Sequence, residues 1–238
     1  MRILMVSQFH YNQGGVETYF FQLMQLLKSK GHEVIPLSMN HEKNLPSPYS
    51  KYFVSKIDYV DSLNHLGLAT GVKAAARSIY SLEARKKINL LIKDMKPDLA
   101  HFQAIHNHLT PSIIYVLKKY NIPIVWTLHD YKFLLCPNNN FFNDRAAEAC
   151  QKCKKFKYYR AVLTRCKKNS IMASFLAALE AYIHRTLRIH RLVDKFISPS
   201  KFLIAQLLEY GLGEKRVSYL PNFIPENGSS FSSKEFRN

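Results

Sequence analysis

The chain has 238 residues and 47% of them are hydrophobic, which is enough to form a core and excludes a wholly disordered chain. Its formal charge of +17 favours an anionic partner, either a phosphorylated ligand, a nucleic acid or an acidic membrane surface, although a basic surface without a specific partner gives the same charge. No apolar run is long enough for a membrane-spanning helix, and the amino terminus turns polar too early for a signal peptide. We therefore expect a cytoplasmic protein without structural disulfides.

The amino-terminal segment predicts a strand, a helix and a second strand. Residues 2–8 form a short apolar run of strand-forming residues. From residue 16 to residue 27, apolar side chains recur every three or four positions, which is typical of a helix with one buried face. Gly31 stands where such a helix would end, and residues 33–39 predict the second strand. This βαβ unit predicts a parallel sheet.

The same alternation continues along the chain after a predicted loop over residues 40–70. The further predicted helices cover about 74–95, 110–123 (opened by Thr110 and Pro111 as cap and first turn), 170–196 and 201–213. The further predicted strands cover 99–104, 124–130, 195–200 and 216–222. We predict one open, doubly wound, Rossmann-like α/β domain over residues 1–225, with ligands bound at the carboxyl ends of the strands. The polar residues 226–238 predict a tail or linker.

Two adjacent glycines, Gly14 and Gly15, lie between the first predicted strand and helix. They would let the backbone approach a bound group and adopt a positive φ, and the following helix N-terminus suits a phosphate. Neither the dinucleotide fingerprint nor a P-loop is present, so a plain tight turn is the alternative. Glu17 falls in the first helical turn, where a carboxylate either stabilises the helix dipole or takes part in chemistry.

Histidines stand at two of the predicted strand ends. His129 and Asp130 end one strand, where they would orient substrate hydroxyls or relay a proton, unless His129 only bonds a backbone carbonyl. His101, His106 and His108 surround another strand end, but their spacing matches no standard zinc motif, so we do not favour a metal there.

The four cysteines all fall within a predicted insertion of about 134–170, with the pattern C-x13-C-x2-C-x12-C. They are Cys136, Cys150, Cys153 and Cys166. This pattern fits a tetrahedral structural zinc site, with neighbouring lysines offsetting the charge of four thiolates. Reduced or redox-linked thiols are the alternative.

A basic run and an amphipathic helix follow the cysteines. Residues 152–168 contain no acidic residue. The apolar side of the helix predicted over 170–196 carries Met172, Phe175, Leu176, Leu179, Tyr182, Ile183 and Leu187. Such a helix would either lie on an anionic bilayer or pack this side on the domain, and packing is the interpretation that we favour.

These features in this order resemble the N-terminal domain of a family 4 glycosyltransferase, of the retaining GT-B class. The resemblance covers nearly the whole chain. The segments that carry it are "QFHYNQGGVETYF", "PDLAHFQAIHNH", "IVWTLHDYKFLLCP" and "DKFISPSKFLIAQLLEYGLGEKRVSYLPNFIP".

The resemblance implies a domain that receives a sugar or lipid-linked acceptor, while a C-terminal domain holds a nucleotide sugar as donor. It implies that Gly14 and Gly15 lie near the donor diphosphate and that His129 contacts the donor sugar. Asn222 belongs to the segment that crosses between the domains, which usually reads Pro-Asn-Gly and here reads Pro-Asn-Phe. The acceptor-side candidates are Glu17, His106, Asp130 and Asn222.

The family's pair of donor-binding glutamates, separated by seven residues, has no counterpart in this sequence. We therefore expect the chain to be inactive unless a C-terminal domain or a separate chain supplies the donor-binding half. The expected function is sugar transfer in surface polysaccharide synthesis, at the cytoplasmic face of the membrane. The alternative is a non-catalytic module that docks to a membrane or a partner. A nucleic-acid binder is disfavoured, because the sequence has no recognition motif for one.

Overall fold

A computed structural model describes residues 1–57, 75–132 and 135–223. The strands of these ranges are β1 (Arg2–Val6), β2 (Glu33–Leu37), β3 (Leu99–Phe102), β4 (Ile124–Thr127), β5 (Phe142–Asn143), β6 (Glu148–Ala149), β7 (Lys195–Ser198) and β8 (Val217–Tyr219). One parallel sheet has the order β2-β1-β3-β4-β7-β8, and β5 pairs with β6 in a separate antiparallel ribbon. The predicted parallel sheet is confirmed.

Helices connect the strands of the parallel sheet. They are α1 (Gly15–Ser29), α2 (Leu82–Met95), α3 (Ser112–Lys119), α4 (Tyr159–Leu163), α5 (Ile171–Thr186), α6 (Ile189–Leu192) and α7 (Lys201–Glu209). Short 3-10 turns lie at Ser50–Tyr52, Lys154–Phe156 and Glu214–Arg216. No helix of the described ranges is both long and apolar enough to span a bilayer.

Alternate residues of β1 belong to different hydrophobic clusters. Ile3 and Met5 pack with Phe20 of α1, whereas Leu4 and Val6 belong to the cluster that contains the buried side chains of α2 and α3. Successive side chains of a strand point to opposite faces of a sheet, so helices cover both faces of this one. The predicted doubly wound, Rossmann-like α/β class is confirmed.

Glycines end α1 and α7 as predicted. Gly31 has a φ of +80° and Gly211 a φ of +101°, a conformation that favours glycine. The N–H of His32 donates to the carbonyl of Leu27 at 3.1 Å, which closes the last turn of α1. Leu26 was predicted on the buried face of this helix but is 40% exposed.

The single helix predicted over 74–95 is wrong, because the chain breaks before α2. Residues 75–79 are helical, and α2 then begins at Leu82. The hydroxyl of Ser81 accepts the N–H of Ala84 at 3.1 Å and so caps α2. The N–H of Ser81 donates to the Thr110 hydroxyl at 3.1 Å. Thr110 therefore holds the break in place. Its hydroxyl also accepts the N–H of Ser112 at 3.4 Å, so it contacts the first turn of α3, which begins one residue later than predicted.

The helix predicted over 170–196 is also divided, since Arg188 adopts a left-handed φ of +50° between α5 and α6. The favoured interpretation of its packing is wrong. The side chains of α5 that are buried are Ser174, Ala177, Ala178, Ala181 and His184. Most of the large apolar side chains predicted to pack on the domain are exposed, namely Met172, Phe175, Leu179, Tyr182 and Leu187. The small alanines allow α5 to lie close to its neighbours, which leaves the larger side chains facing outward.

Parts of the remaining predictions fall outside the described residues. The predicted loop over 40–70 is described as far as residue 57, where Met39 bridges Val54. The rest of that loop and the predicted tail over 226–238 lie outside the described ranges. The domain boundary after residue 225 stays a prediction.

Candidate ligand site at the carboxyl edge of the sheet

A cavity of about 230 Å³ opens at the carboxyl ends of β3 and β4. Its lining residues are Val16, Gln103, Ala104, His106, Trp126, Leu128, His129, Asp130, Asn139 and Asn140. Val16 lies in the first turn of α1, so the cavity reaches from the glycine loop to both strand ends. From β1 the chain adds β2 on one side, and then adds β3 and the later strands on the other side. The sheet therefore has a switch point between β1 and β3, and ligands of doubly wound sheets bind at such a point.

His129 is held by a chain of hydrogen bonds that crosses two strands. Its Nε2 lies 2.6 Å from Oε1 of Gln103, and Nε2 of Gln103 lies 3.2 Å from Nε2 of His101. The same nitrogen of His101 lies 2.8 Å from the Thr127 hydroxyl. Since the Gln103 amide donates to His101, its oxygen accepts from His129. The proton of His129 is therefore on Nε2, and Nδ1 keeps its lone pair.

Both histidines of this chain are neutral at physiological pH. Burial lowers the pKa of His129 to about 4, against an opposing effect of the Asp130 charge. Burial also lowers the pKa of His101 to about 4, with a further contribution from His129. A neutral His129 can accept a hydrogen bond from a hydroxyl through Nδ1, but it brings no positive charge to a phosphate.

Asp130 forms the second polar group of the cavity. Its two carboxylate oxygens each lie 3.2 Å from Nε2 of His106, and the Lys132 N–H donates to Oδ1 at 3.0 Å. Burial would raise the pKa of Asp130, but His106 and Lys132 outweigh burial and lower it. The carboxylate therefore remains anionic and oriented at the cavity wall.

A buried ion pair lies behind Asp130. The Lys132 side chain is 5% exposed, and its Nζ lies 3.1 Å from Oε2 of Glu180 on α5 and 3.2 Å from Oδ1 of Asn107. Burial would raise the pKa of Glu180, but Lys132 first and then His184 outweigh burial and lower it. The pair therefore joins α5 to the loop that carries His129 and Asp130.

Gln103, Lys132 and Glu180 were not predicted from the sequence. Gln103 directly follows β3, so its polar side chain at a predicted strand end was an available signal. Lys132 comes two residues after Asp130, and Glu180 is an isolated acid in a basic segment. Nothing in the sequence pairs Lys132 with Glu180, because they are far apart along the chain.

The predicted positive φ of the glycine loop is wrong. Gly14 has a φ of −178°, which any residue can adopt, and Gly15 also lies outside the left-handed region. A Cβ atom at Gly14 would meet only Oε2 of Glu17, at 3.8 Å, and one at Gly15 would meet nothing within 4 Å. The chain itself therefore leaves open space above Gly15, and a side chain at Gly14 would be in ordinary contact with Glu17.

Glu17 lies in the first turn of α1, as both of its predicted roles require. Glu17 is 6% exposed, and burial raises the pKa of its carboxyl.

Tyr19 connects His129 to the end of the described chain. Its ring centroid lies 5.4 Å from that of His129 and 5.6 Å from that of Phe223. Phe223 stands where the family usually has glycine, and here it packs beside the candidate site. Asn222 is exposed and does not line the cavity. The structure thus brings His129, His106 and Asp130 together and leaves Asn222 outside.

The histidines of the β3 end take different partners and form no metal site. His101 and His106 bond to Thr127 and Asp130, as described above, whereas Nδ1 of His108 accepts the N–H of Ile57 at 3.2 Å. Among all the described residues, no group of three or more His, Cys, Asp or Glu side chains is arranged to hold a metal ion.

The zinc site predicted at the four cysteines therefore gains no support. All four are free thiols; Cys136, Cys153 and Cys166 are buried and Cys150 is half-buried. Burial, together with the neighbouring cysteines, raises the pKa of Cys136 and of Cys153 to about 12. Without a metal these groups are protonated thiols at neutral pH, and zinc would have to displace their protons to bind. We assign no metal chemistry to them.

The fold and this cavity define a Rossmann-like α/β domain with a polar cavity at the carboxyl edge of its sheet. The family model described as Glycosyltransferase Family 4 matches residues 13–227, and the chain belongs to this family. The predicted resemblance is confirmed. No curated protein matches the chain.

Three solved structures that match the chain show low identity. UDP-N-acetylglucosamine 2-epimerase from Rickettsia bellii matches with a TM-score of 0.49 and 11% identity, over 100% of this chain and 49% of that protein. MurG from Acinetobacter baumannii has a TM-score of 0.44 and 10% identity, over 96% and 47%. UDP-GlcNAc 2-epimerase from Neisseria meningitidis, bound to UDP-GlcNAc, has a TM-score of 0.45 and 11% identity, over 93% and 47%. The chain spans about half the length of these proteins.

Proposed function

We propose that the chain is the acceptor-side domain of a hexosyltransferase-type enzyme. It would transfer a sugar from a nucleotide sugar to a saccharide or lipid-linked acceptor in surface polysaccharide synthesis. A C-terminal domain or a separate chain would hold the donor. Membership of the family supports sugar transfer. The observation that carries the proposal is the neutral His129, oriented by Gln103 in a polar cavity at the switch point.

The cavity offers groups that suit sugar hydroxyls. Nδ1 of His129 would accept a hydrogen bond from a hydroxyl of the donor sugar, and the anionic Asp130 would accept one from the acceptor. Two acceptors held on a rigid sheet edge fix the orientation of a polyhydroxylated ligand, which lowers the entropic part of the barrier to reaction.

The glycine loop would lie under the donor diphosphate. The open space above Gly15 supports this role, since neither φ nor neighbouring atoms require glycine at either position. The N–H groups at the start of α1 would donate to phosphate oxygens. Positive charge for the leaving nucleotide would have to come from the donor-binding half, because His129 is neutral.

Substituting Gly15 tests this role separately from folding. Gly15→Val should leave the unfolding temperature close to that of the wild type, since a Cβ atom at this position has no atom of the chain within 4 Å. It should weaken use of the nucleotide sugar by blocking the approach of the diphosphate. Gly213→Val is the matched control, because Gly213 also has open space around it.

The decisive assay measures nucleoside diphosphate release from a panel of nucleotide sugars, with an oligosaccharide acceptor. It is run on the chain alone and together with a donor-binding domain or its neighbouring encoded chain. Release that needs both parts, and that Gly15→Val reduces, supports the proposal. Binding of the acceptor to the chain alone, followed by ligand-observed NMR, should already be present without the donor half.

A second candidate function is non-catalytic docking of the chain to a membrane or a partner. The exposed apolar side of α5 next to a basic segment favours it. Absence of release in every combination, with acceptor binding also absent, would favour this second function. In both cases we propose a peripheral position at the cytoplasmic face of the membrane.

A further inference from the structure

The outer side of α5 is a continuous strip of large apolar side chains. Its members are Ile171 (53% exposed), Met172 (64%), Phe175 (49%), Leu179 (36%) and Tyr182 (37%). At 100° per residue these positions span about a quarter of the helix circumference. The strip is therefore one face of one helix and not a set of scattered residues.

The short helix α4 widens this strip. The N–H of Tyr159 donates to the Tyr182 hydroxyl at 3.2 Å, and the N–H of Lys167 donates to the Ser174 hydroxyl at 3.0 Å, so α4 runs antiparallel to α5. Tyr159 is 48% exposed, and Leu163, one turn later on the same side of α4, is 72% exposed. We call the seven exposed apolar residues of the two helices the α4–α5 face.

The segment that carries the α4–α5 face is strongly basic. Residues 152–193 contain eleven Lys and Arg and a single acid, Glu180. Glu180 is buried against Lys132 and faces inward. Two lysines of the segment, Lys152 and Lys154, pair with acids outside it. The other exposed charges are positive and, within the described residues, have no acidic partner.

An arginine-rich depression of about 650 Å³ adjoins the end of the strip. It is lined by Tyr182, which belongs to the strip, and by Arg185, Arg188 and Arg191 among others. His190 also lines it, and burial, followed by the charges of Arg191 and Arg185, lowers the pKa of this histidine to about 4. The depression thus has a strong positive field where a phosphate could enter.

We infer that the α4–α5 face docks the chain on an anionic lipid bilayer, with its apolar side chains in the interface and its arginines on phosphate headgroups. An interfacial helix combines an apolar side with lysines and arginines, and anionic lipid attracts each such cation. A second copy of the chain fits less well, because it would bring the same positive charges to the contact. This inference rests on the peripheral membrane position proposed above, for which it names the surface and the lipid, and it does not depend on sugar transfer or on the cavity.

Co-sedimentation with vesicles tests the inference. Vesicles that contain phosphatidylglycerol in phosphatidylcholine should bind the chain, and pure phosphatidylcholine vesicles should bind it much more weakly. Replacing Met172 and Phe175 by Ser should weaken binding at least about tenfold, since the bilayer interface then buries two fewer apolar side chains. The matched control replaces Leu82 and Leu90 of α2 by Ser, which are equally exposed elsewhere and should leave binding unchanged.

Charge variants separate docking at this face from general attraction of a basic protein. Replacing Arg165 and Arg188 by Gln should weaken binding to the phosphatidylglycerol vesicles by about tenfold or more. Replacing Lys86 and Lys93 of α2 by Gln removes the same net charge and should have a much smaller effect. Equal losses in the two double variants would overturn the inference.

A fluorescence measurement reports insertion directly. The single native tryptophan, Trp126, is buried, so a new tryptophan can be followed against it. Phe175→Trp should shift its emission to the blue on phosphatidylglycerol vesicles and be quenched by lipids brominated in the acyl chain, whereas Leu90→Trp should not. Absence of the shift, or a concentration-dependent dimer that Phe175→Ser abolishes in place of vesicle binding, would also overturn the inference.

Discussion

The two sides of α5 differ in what they bury. The inner side places three alanines, a glutamate and a histidine against the domain, and the glutamate is satisfied by Lys132. The outer side exposes the larger apolar residues. Apolar periodicity therefore predicts a helix with two different faces, but it does not say which face the fold buries. Close approach favours small side chains, and a buried charge is tolerated where it is paired.

The inner side also reaches the candidate site, whereas the outer side faces away from the domain. Glu180 contacts Lys132, whose backbone N–H binds Asp130 in the cavity wall. A change on the inner side should therefore affect folding and the cavity, and one on the outer side should affect docking alone. Substitutions at the cavity and on each side of α5 test this separation.

The largest effect is expected at the cavity itself. His129→Ala should lower turnover by at least about a hundredfold in an assay that includes the donor-binding half, because the oriented hydrogen-bond acceptor is lost. The control is His32→Ala, since His32 precedes β2 at the opposite edge of the sheet. Wild-type turnover in His129→Ala would show that this cavity is not the reaction site.

Breaking the buried ion pair should cost the most stability. Glu180→Ala should lower the free energy of unfolding by about 3–5 kcal/mol, because the buried Lys132 charge is left unpaired. Lys154→Ala breaks the exposed pair with Glu209 and should cost no more than about 1 kcal/mol. Urea denaturation measures both. A double variant with Lys132→Met and Glu180→Leu should regain most of the lost free energy of unfolding. That result would identify the unpaired charge as the cause of the loss.

The buried histidines should make folding sensitive to acid. Burial lowers the pKa of His10, His101 and His129 in the folded chain to about 4, from 6.5. Between pH 4 and pH 6.5 the unfolded chain therefore binds more protons than the folded chain. The free energy of unfolding has its full value above pH 6.5 and falls as the pH drops towards 4.

Replacing one of these histidines should flatten that pH profile. His10 lies among the rings of Phe20, Phe21 and Phe53, so Phe is a reasonable substitute. His10→Phe should reduce the slope of the free energy of unfolding against pH by at most about 1.4 kcal/mol per pH unit between pH 4 and pH 6.5. Urea midpoints at several pH values measure the slope, and an unchanged slope would mean that His10 does not titrate as described.

The two sides of α5 can be compared directly by substitution. Ala177 is 4% exposed, so Ala177→Leu should overpack the inner side and destabilise the chain by about 1–3 kcal/mol. Phe175→Ser on the outer side should change stability by no more than about 0.5 kcal/mol. Equal losses in thermal melts would show that the outer side is covered in solution.

The last prediction concerns the reactivity of the cysteines and involves no change in stability. Cys150 is more accessible than Cys136, Cys153 and Cys166, so alkylation of the native chain should modify it first. Mass spectrometry after brief treatment with iodoacetamide identifies the modified site. Protection of all four thiols until a chelator is added would instead indicate bound zinc and contradict the protonated thiols described above.

Several features of this protein followed from local sequence. The alternation of apolar runs and helical periodicity predicted the parallel sheet, because each pattern reflects which side of its own element is buried. Gly31 marked a helix end, because the left-handed conformation that it adopts favours glycine. His129 and Asp130 were found because residues at the carboxyl ends of parallel strands meet at one edge.

Tertiary structure decided the rest. The partners of His129 and Lys132 are Gln103 and Glu180, which come from distant parts of the chain, so no local pattern pairs them. The helix predicted over 74–95 breaks because Ser81 meets Thr110 from another loop. The covered side of α5 is likewise a property of its neighbours. Local sequence sets the conformation of each element, but burial, charge pairing and exposure depend on what the fold brings against it.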